Sequence, residues 1–200
     1  MAYNYKITDL KFRINKLIPQ DKCKFLISIF EKYKNLSHSE ESYKFKTNKV
    51  EQDNFLCLNL SMIDNPNQDI KKALTIAKEY LTIMIFNYVN YIKVKKICPF
   101  FNDAYINSSS NIRILKYETG QSIADHSDVD YKTRASCTLN LNEDYEGGEF
   151  TFFNGQIKET FKTGDGMIFP AEPIWIHGTE PITKGTRYTI NCFLHSAEIK

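Results

Sequence analysis

Two residues near the middle of the chain, His126 and Asp128, are separated by one serine. On extended backbone, residues two apart point to the same face. An imidazole and a carboxylate can therefore converge on one point. His177 follows 51 residues later, on a short apolar stretch. Two imidazoles and one carboxylate form the facial set that non-haem Fe(II) oxygenases use, leaving three positions on the ion open for a chelating co-substrate and O2. The same three side chains could hold a catalytic zinc. The tripeptide alone is a weak signal, and an isolated His177 also reads as a hydrogen-bonded core imidazole.

Arg187 stands ten residues beyond His177. On a strand, Arg187, Thr189, Asn191 and Phe193 share one face, and Tyr188, Ile190, Cys192 and Leu194 share the other. The second set reads as core. An arginine buried on the first face needs an anion, because an unpaired buried charge is expensive. No Asp or Glu lies in the same stretch. A ligand carboxylate would satisfy the guanidinium fork, with the Thr189 hydroxyl close by. The competing reading is a surface arginine, or one paired with a distant acid.

The elements that must position these groups are legible from periodicity. Asp21 reads as the N-cap of a helix carrying Cys23, Leu26, Ile27 and Phe30 and ending near Tyr33. A short strand is expected around Leu10 to Ile14 and another over Phe55 to Leu60. Polar residues 34–48 read as a mobile loop. From Asn65-Pro66-Asn67, apolar residues recur every three or four positions from Ile70 to Ile92, predicting a long amphipathic helix that ends near Val94. After Pro99 the pattern changes to short strands: Ile112–Tyr117, Ser122–Asp125, Arg134–Leu141, Glu149–Phe153, Gln156–Phe161, Gly166–Phe169, Trp175–His177 and Thr186–Leu194. Eight such strands with turn signals between them predict a jelly roll, with the two preceding helices covering one sheet face. The fold class expected is α+β with a mainly β core. The chain reads as one domain, 1–200, with a mostly helical N-terminal layer (1–96) and a jelly-roll core (97–196).

Composition narrows the function. Net charge is +2, so no global excess of charge calls for nucleic acid or membrane. Residues 1–50 hold 11 Lys/Arg against 5 Asp/Glu, either a solvated basic face or a docking surface for an acidic partner. Five cysteines without paired spacing argue against a disulfide framework and for a reducing, cytoplasmic setting. Neither a signal peptide nor a membrane span is expected. Trp175 reads as core, with a substrate groove as the alternative. The same holds for Phe100, Phe101 and Tyr105. His38 and His195 receive no role.

With these residues in view, about Asn111 to His195 resembles the catalytic domain of Fe(II)/2-oxoglutarate-dependent dioxygenases of the prolyl 4-hydroxylase group. Four motifs carry the resemblance in order: Tyr117-Glu118-Thr119-Gly120 leading to His126-Ser127-Asp128; Glu146-Gly147-Gly148-Glu149-Phe150-Thr151-Phe152; Gly164-Asp165-Gly166-Met167-Ile168-Phe169; and His177-Gly178-Thr179 through Thr186-Arg187. The resemblance implies a double-stranded β-helix in which His126, Asp128 and His177 ligate Fe(II). It implies that Arg187 binds the distal carboxylate of 2-oxoglutarate, with Thr189 as helper and Tyr117 facing the co-substrate. Asn140 stands where many relatives carry a tyrosine on that carboxylate, and it can donate a hydrogen bond there. Retention of Asp128 argues against the halogenase variant. O2 and 2-oxoglutarate are the implied co-substrates, ascorbate a candidate reductant, and a prolyl residue of an intracellular protein the implied target. Lysyl, small-molecule and nucleic-acid substrates, and a non-catalytic jelly-roll binding module, are the alternatives. Nucleic acid is disfavoured by the absence of further arginines beyond His177 and Arg187.

Overall fold

A computed structural model describes residues 5–44, 48–97 and 105–196. In chain order the elements are β1 (Phe12–Ile14), α1 (Gln20–Lys32), β2 (Glu41–Lys44), β3 (Lys49–Gln52), β4 (Leu56–Asn59), α2 (Gln68–Lys95), β5 (Ser108–Glu118), β6 (Thr133–Asn140), β7 (Tyr145–Gly147), β8 (Phe150–Phe152), β9 (Ile157–Glu159), β10 (Gly166–Pro170), β11 (His177–Thr179) and β12 (Ile182–His195). The larger antiparallel sheet runs β1-β10-β6-β12-β5-β4, with β7 added to the start of β12. The smaller runs β11-β8-β9. This is the expected jelly-roll arrangement, and the N-terminal part contributes β1 and β4 at its two edges.

Strand alternation divides the side chains of the large sheet. Ile112 and Ile114 of β5, Ala135, Cys137 and Leu139 of β6, Ile168 of β10, and Ile190, Cys192 and Leu194 of β12 join one cluster with both helices. Leu26 and Phe30 of α1 and Ile70, Ala77, Leu81 and Met84 of α2 complete it. Each fully buried Leu or Ile here contributes roughly 1.5–3 kcal/mol. The opposite face turns Ser136, Thr138, Arg187 and Thr189 toward the interior between the sheets, and all four are buried. There the small sheet brings an aromatic cluster of Phe150, Phe152, Phe161, Phe169 and Trp175. Trp175 is core. One face of β12 thus closes the hydrophobic layer while the other furnishes the site.

Helix α2 starts where the sequence predicted, with the Asn67 side chain accepting from the Ile70 amide at 3.1 Å. The N-cap of helix α1 lies two residues earlier than expected. Pro19 is its N-cap and Asp21 lies in the first turn, where its charge favours the N-terminal end of the helix dipole. Residues 34–48 are not a featureless loop. Lys34–Leu36 is a 3-10 turn, and β2 pairs with β3 as a hairpin. Ser122–Asp125 is irregular backbone rather than a strand, held by Ile123 N–H on the Thr179 hydroxyl and Thr179 N–H on the Ile123 carbonyl. Phe100 and Phe101 lie outside the described residues. Among the described residues, no helix is long and apolar enough to cross a membrane.

The Gly164-Asp165-Gly166 motif ties the chain start to the sheet. The buried Asp165 carboxylate accepts from Arg13 (2.6 Å), the Lys16 amide (2.9 Å) and the Lys162 amide (2.8 Å). Gly164 has φ +83° and accepts from the Ile18 amide at 3.0 Å. A Cβ at Gly164 would stand 2.2 Å from the Ile18 carbonyl oxygen. We expect Gly164→Ala to lower unfolding stability by about 1–3 kcal/mol through left-handed backbone strain, with the clash added. Denaturant unfolding checks this, and an unchanged midpoint would mean that the backbone has room there.

Candidate active site

His126 sits in irregular backbone and His177 opens β11, yet a two-residue antiparallel bridge joins them. The His126 amide donates to the His177 carbonyl at 2.9 Å, and the reverse bond is 2.8 Å. The imidazoles therefore lie side by side, with ring centroids 4.3 Å apart. Each ring is oriented by its own backbone. His126 Nδ1 lies 2.8 Å from the Ala124 carbonyl, and His177 Nδ1 lies 2.9 Å from the Trp175 carbonyl. In the neutral ring Nδ1 is then the donor and Nε2 carries the free lone pair, the tautomer a metal ligand needs. Asp128 faces both: Oδ1 is 3.3 Å from His126 Nε2, and Oδ2 is 3.2 Å from His177 Nε2. All three donor groups lie within 4.8 Å of one another.

The surroundings hold this cluster in place. The Ser136 hydroxyl of β6 donates to Asp128 Oδ2. Asp130 accepts from the Lys132 and Thr133 amides, each at 2.6 Å, and turns the chain into β6. The His177 ring stacks on Phe150 (5.5 Å, 8°) and meets Phe169 edge-on (4.6 Å, 66°). Burial opposes the charge on Asp128, but the neighbouring His177 and His126 outweigh it and hold the carboxyl well below its usual range. Burial likewise pushes His126 down, and the hydrogen bond and charge of Asp128 reverse this and raise it above 6.5. A divalent cation would replace that proton, and the donor set of two imidazole nitrogens and one carboxylate suits Fe(II).

Further along the same cleft lies Arg187, 1% exposed. Its Nε donates to Asn140 Oδ1 at 3.2 Å and its Nη1 to the Gly148 carbonyl at 2.9 Å. The rings of Tyr117, Tyr145 and Phe161 surround it, their centroids 5.8, 5.8 and 5.9 Å from the guanidinium carbon. Among the described residues it has no ion pair. Gly148 is needed here: its φ is +68°, and a Cβ would fall 2.4 Å from Ile182 Cδ1. A buried cation held only by neutral acceptors is a fitting counter-charge for a ligand carboxylate.

The cleft joining the two ends is narrow, with a cavity volume of about 40 Å³. His126, Asp128, His177, Ser136, Thr138, Thr189, Tyr117 and Arg187 all line it. Thr189 Oγ1 donates to Asn191 Oδ1 at 2.9 Å. Tyr117 packs on Phe55 (4.8 Å), and burial keeps its phenol protonated as a donor. Asn140 is placed differently from the sequence expectation. Its amide nitrogen donates to the Asn142 carbonyl at 2.5 Å and the Lys162 carbonyl at 3.3 Å, leaving Oδ1 toward Arg187. It therefore positions the guanidinium instead of donating into the cleft. Sequence reasoning missed Tyr145, whose hydroxyl donates to the same Asn140 oxygen at 3.3 Å. It also missed the Ser136 contact to Asp128.

Residues 112–195 match the family model of the 2OG-Fe(II) oxygenase superfamily. Two curated proteins called PKHD-type hydroxylase, from two Synechococcus strains, are 33% identical over 98 residues, covering 43% of this chain and 43% of each relative. The chain thus spans less than half the length of these relatives. Among solved structures, a prolyl hydroxylase in complex with a hypoxia inducible factor peptide fragment, from Trichoplax adhaerens, superimposes with TM-score 0.68 at 13% identity, covering 94% of this chain and 84% of that one. A Pseudomonas putida prolyl-4-hydroxylase gives 0.60 at 14% identity, covering 96% and 97%. A viral collagen prolyl hydroxylase from Paramecium Bursaria Chlorella virus-1 gives 0.57 at 17% identity, covering 98% and 100%. At these identities the likeness is one of fold. The chain is thus similar to the 2OG-Fe(II) oxygenase superfamily over residues 112–195, less than half of its length, and it shares the fold of these solved prolyl hydroxylases.

Two outcomes follow from the geometry. Because Asp128 makes His126 hold its proton more tightly than a free imidazole does, a divalent ion must displace that proton. Metal affinity should rise with pH through the ordinary histidine range and level off only above it, with proton release in calorimetry reporting the exchange. Affinity independent of pH over that window would contradict the assignment. Tyr145→Phe should weaken 2-oxoglutarate binding by roughly 1 kcal/mol, by loosening Asn140 on Arg187, while leaving metal affinity unchanged. Calorimetric titration separates the two effects.

Proposed function

We propose that the protein is an Fe(II)- and 2-oxoglutarate-dependent dioxygenase that hydroxylates a prolyl residue of a protein or peptide. One observation carries the reading: a single cleft has a two-His, one-Asp donor cluster near one end and, at the other, a buried guanidinium with no acid partner among the described residues. A dicarboxylate whose one end chelates a metal and whose other end needs a cation fits that spacing of chemistries. In the reading, His126 and His177 offer Nε2 and Asp128 offers a carboxylate oxygen to Fe(II). Arg187 neutralises the distal carboxylate of 2-oxoglutarate, with Tyr117 and Thr189 supplying hydroxyls along the way. Asn140, Tyr145 and the Gly148 carbonyl hold Arg187 in place. Phe150 and Phe169 fix His177 and keep water from that side of the cluster. Fe(II) with 2-oxoglutarate supplies the oxidising chemistry, in which O2 yields succinate, CO2 and a hydroxylated substrate. Ascorbate is the reductant we assign for keeping the iron ferrous.

The prolyl target is supported by the fold likeness. Val129 and Tyr131, one and three residues after Asp128, and Ile174, three residues before His177, are exposed. Exposed apolar side chains this close in sequence to the donor residues suit an uncharged pyrrolidine ring on an extended peptide. The four described cysteines are free thiols, which suits work in the cytoplasm, and we take residues 1–200 as one catalytic domain.

The test supplies Fe(II), ascorbate, 2-oxoglutarate and O2 with a panel of proline-containing peptides, and scores succinate together with a one-oxygen mass gain. The expected result is coupled succinate and hydroxyproline, both lost in Asp128→Ala. Succinate without hydroxylation of any proline, restored by lysyl, nucleic-acid or small-molecule substrates, would overturn the prolyl assignment. No succinate under any of these conditions would overturn the oxygenase reading.

A further inference from the structure

A second donor cluster lies beside the first cleft and takes no part in the proposed reaction. His38 and Cys57 face each other across an antiparallel backbone bridge, with the His38 amide on the Cys57 carbonyl at 3.0 Å and the Cys57 amide on the His38 carbonyl at 2.8 Å. Glu40 is two residues past His38, and its carbonyl accepts from the Asp53 amide at 2.8 Å, so its side chain falls on the same side as that of His38. One donor atom from each of His38, Glu40 and Cys57 lies within 4.8 Å of the others. The Cys57 thiol already donates to Glu40 Oε1 at 3.3 Å.

We propose that His38, Glu40 and Cys57 form a second cation site, selective for a borderline-soft divalent ion such as Zn²⁺. Imidazole, carboxylate and thiolate are the donors such an ion takes, and three protein ligands leave a fourth tetrahedral position to water. The arrangement supplies what the site needs. Glu40 has one oxygen toward the sulfur, and its other oxygen accepts from Arg113 Nη1 at 2.6 Å, the outer-shell support that orients a metal-binding carboxylate. His38 is exposed, so the ion reaches the buried sulfur from the His38 side. On binding, the sulfur–proton bond breaks, the proton leaves to solvent, and a metal–sulfur bond forms with no change of oxidation state. Zn²⁺, thiolate and carboxylate sum to zero charge, so the Arg113 cation meets no net repulsion from the loaded site. Glu40 and Arg113 also line the active-site cleft. The ion therefore pins the segment leading into β2 against β4 at the side of that cleft.

The donor sets separate the two clusters in one experiment, because the His126–Asp128–His177 cluster has no sulfur. The reduced full chain is titrated with Co²⁺ without O2, and thiolate-to-cobalt charge-transfer absorption is followed. The expected result is a saturable charge-transfer band that Cys57→Ser removes, that His38→Ala weakens at least tenfold in affinity, and that His126→Ala leaves in place. His38 is exposed, so its replacement tests the site without disturbing the core that holds Cys57. Absence of the band, its survival in Cys57→Ser, or unchanged affinity in His38→Ala would overturn the proposal and leave Cys57, Glu40 and Arg113 as a hydrogen-bond chain only.

Discussion

The burial of Arg187 is the constraint around which the rest of the site is arranged. A guanidinium at 1% exposure with no ion pair among the described residues is unfavourable on its own. It is tolerated because an amide oxygen, a backbone carbonyl and three aromatic rings share the positive charge. Each support comes from a different part of the chain. Asn140 ends β6, Gly148 sits in the turn after β7, and Tyr117 lies opposite Arg187 in the β5–β12 pairing. The jelly roll is what gathers them, and the charge they leave unmet is what the proposed dicarboxylate would neutralise.

The metal end depends on a different device. Asp128 approaches along irregular backbone, while His177 arrives on a strand of the smaller sheet. The mutual backbone bonds of His126 and His177 make these two origins one unit. Orientation of both rings by carbonyls two residues upstream means that the ligand geometry is set by main chain, which side-chain substitutions nearby disturb little. Alternation along β12 links the two ends to stability: the residues between the site positions pack on α1 and α2. Placement of Arg187 and the integrity of the core are therefore consequences of the same register.

Much of this was legible before the structure. His126, Asp128, His177 and Arg187 could be singled out because strand alternation and residue chemistry are local, and the polar and apolar faces of β12 followed from period two. The long helix was legible because its pattern persists over seven turns with an Asn cap. What depended on partners distant in sequence was not. Asn140 faces Arg187 instead of the cleft because Asn142 and Lys162 carbonyls take its nitrogen. Tyr145 reaches Asn140 only once β7 has paired with β12. The β2–β3 hairpin lies in a polar stretch without alternation, and Ser122–Asp125 looked extended although Thr179 fixes it as a loop. The His38–Glu40–Cys57 cluster was invisible for the same reason, since two separated polar residues meet a buried cysteine only through the bridge beside β4.

The central claim is that one cleft holds a metal and a dicarboxylate at once, with Arg187 as the anchor. It is tested most directly by anaerobic titration of 2-oxoglutarate into the Fe(II)-loaded protein, following the metal-to-ligand charge-transfer absorption of the chelate. The account predicts a saturable band in the wild type. In Arg187→Ala the same band should require more 2-oxoglutarate by an amount equivalent to roughly 2–4 kcal/mol. A band of equal affinity in both proteins, or no band in the wild type, would contradict it.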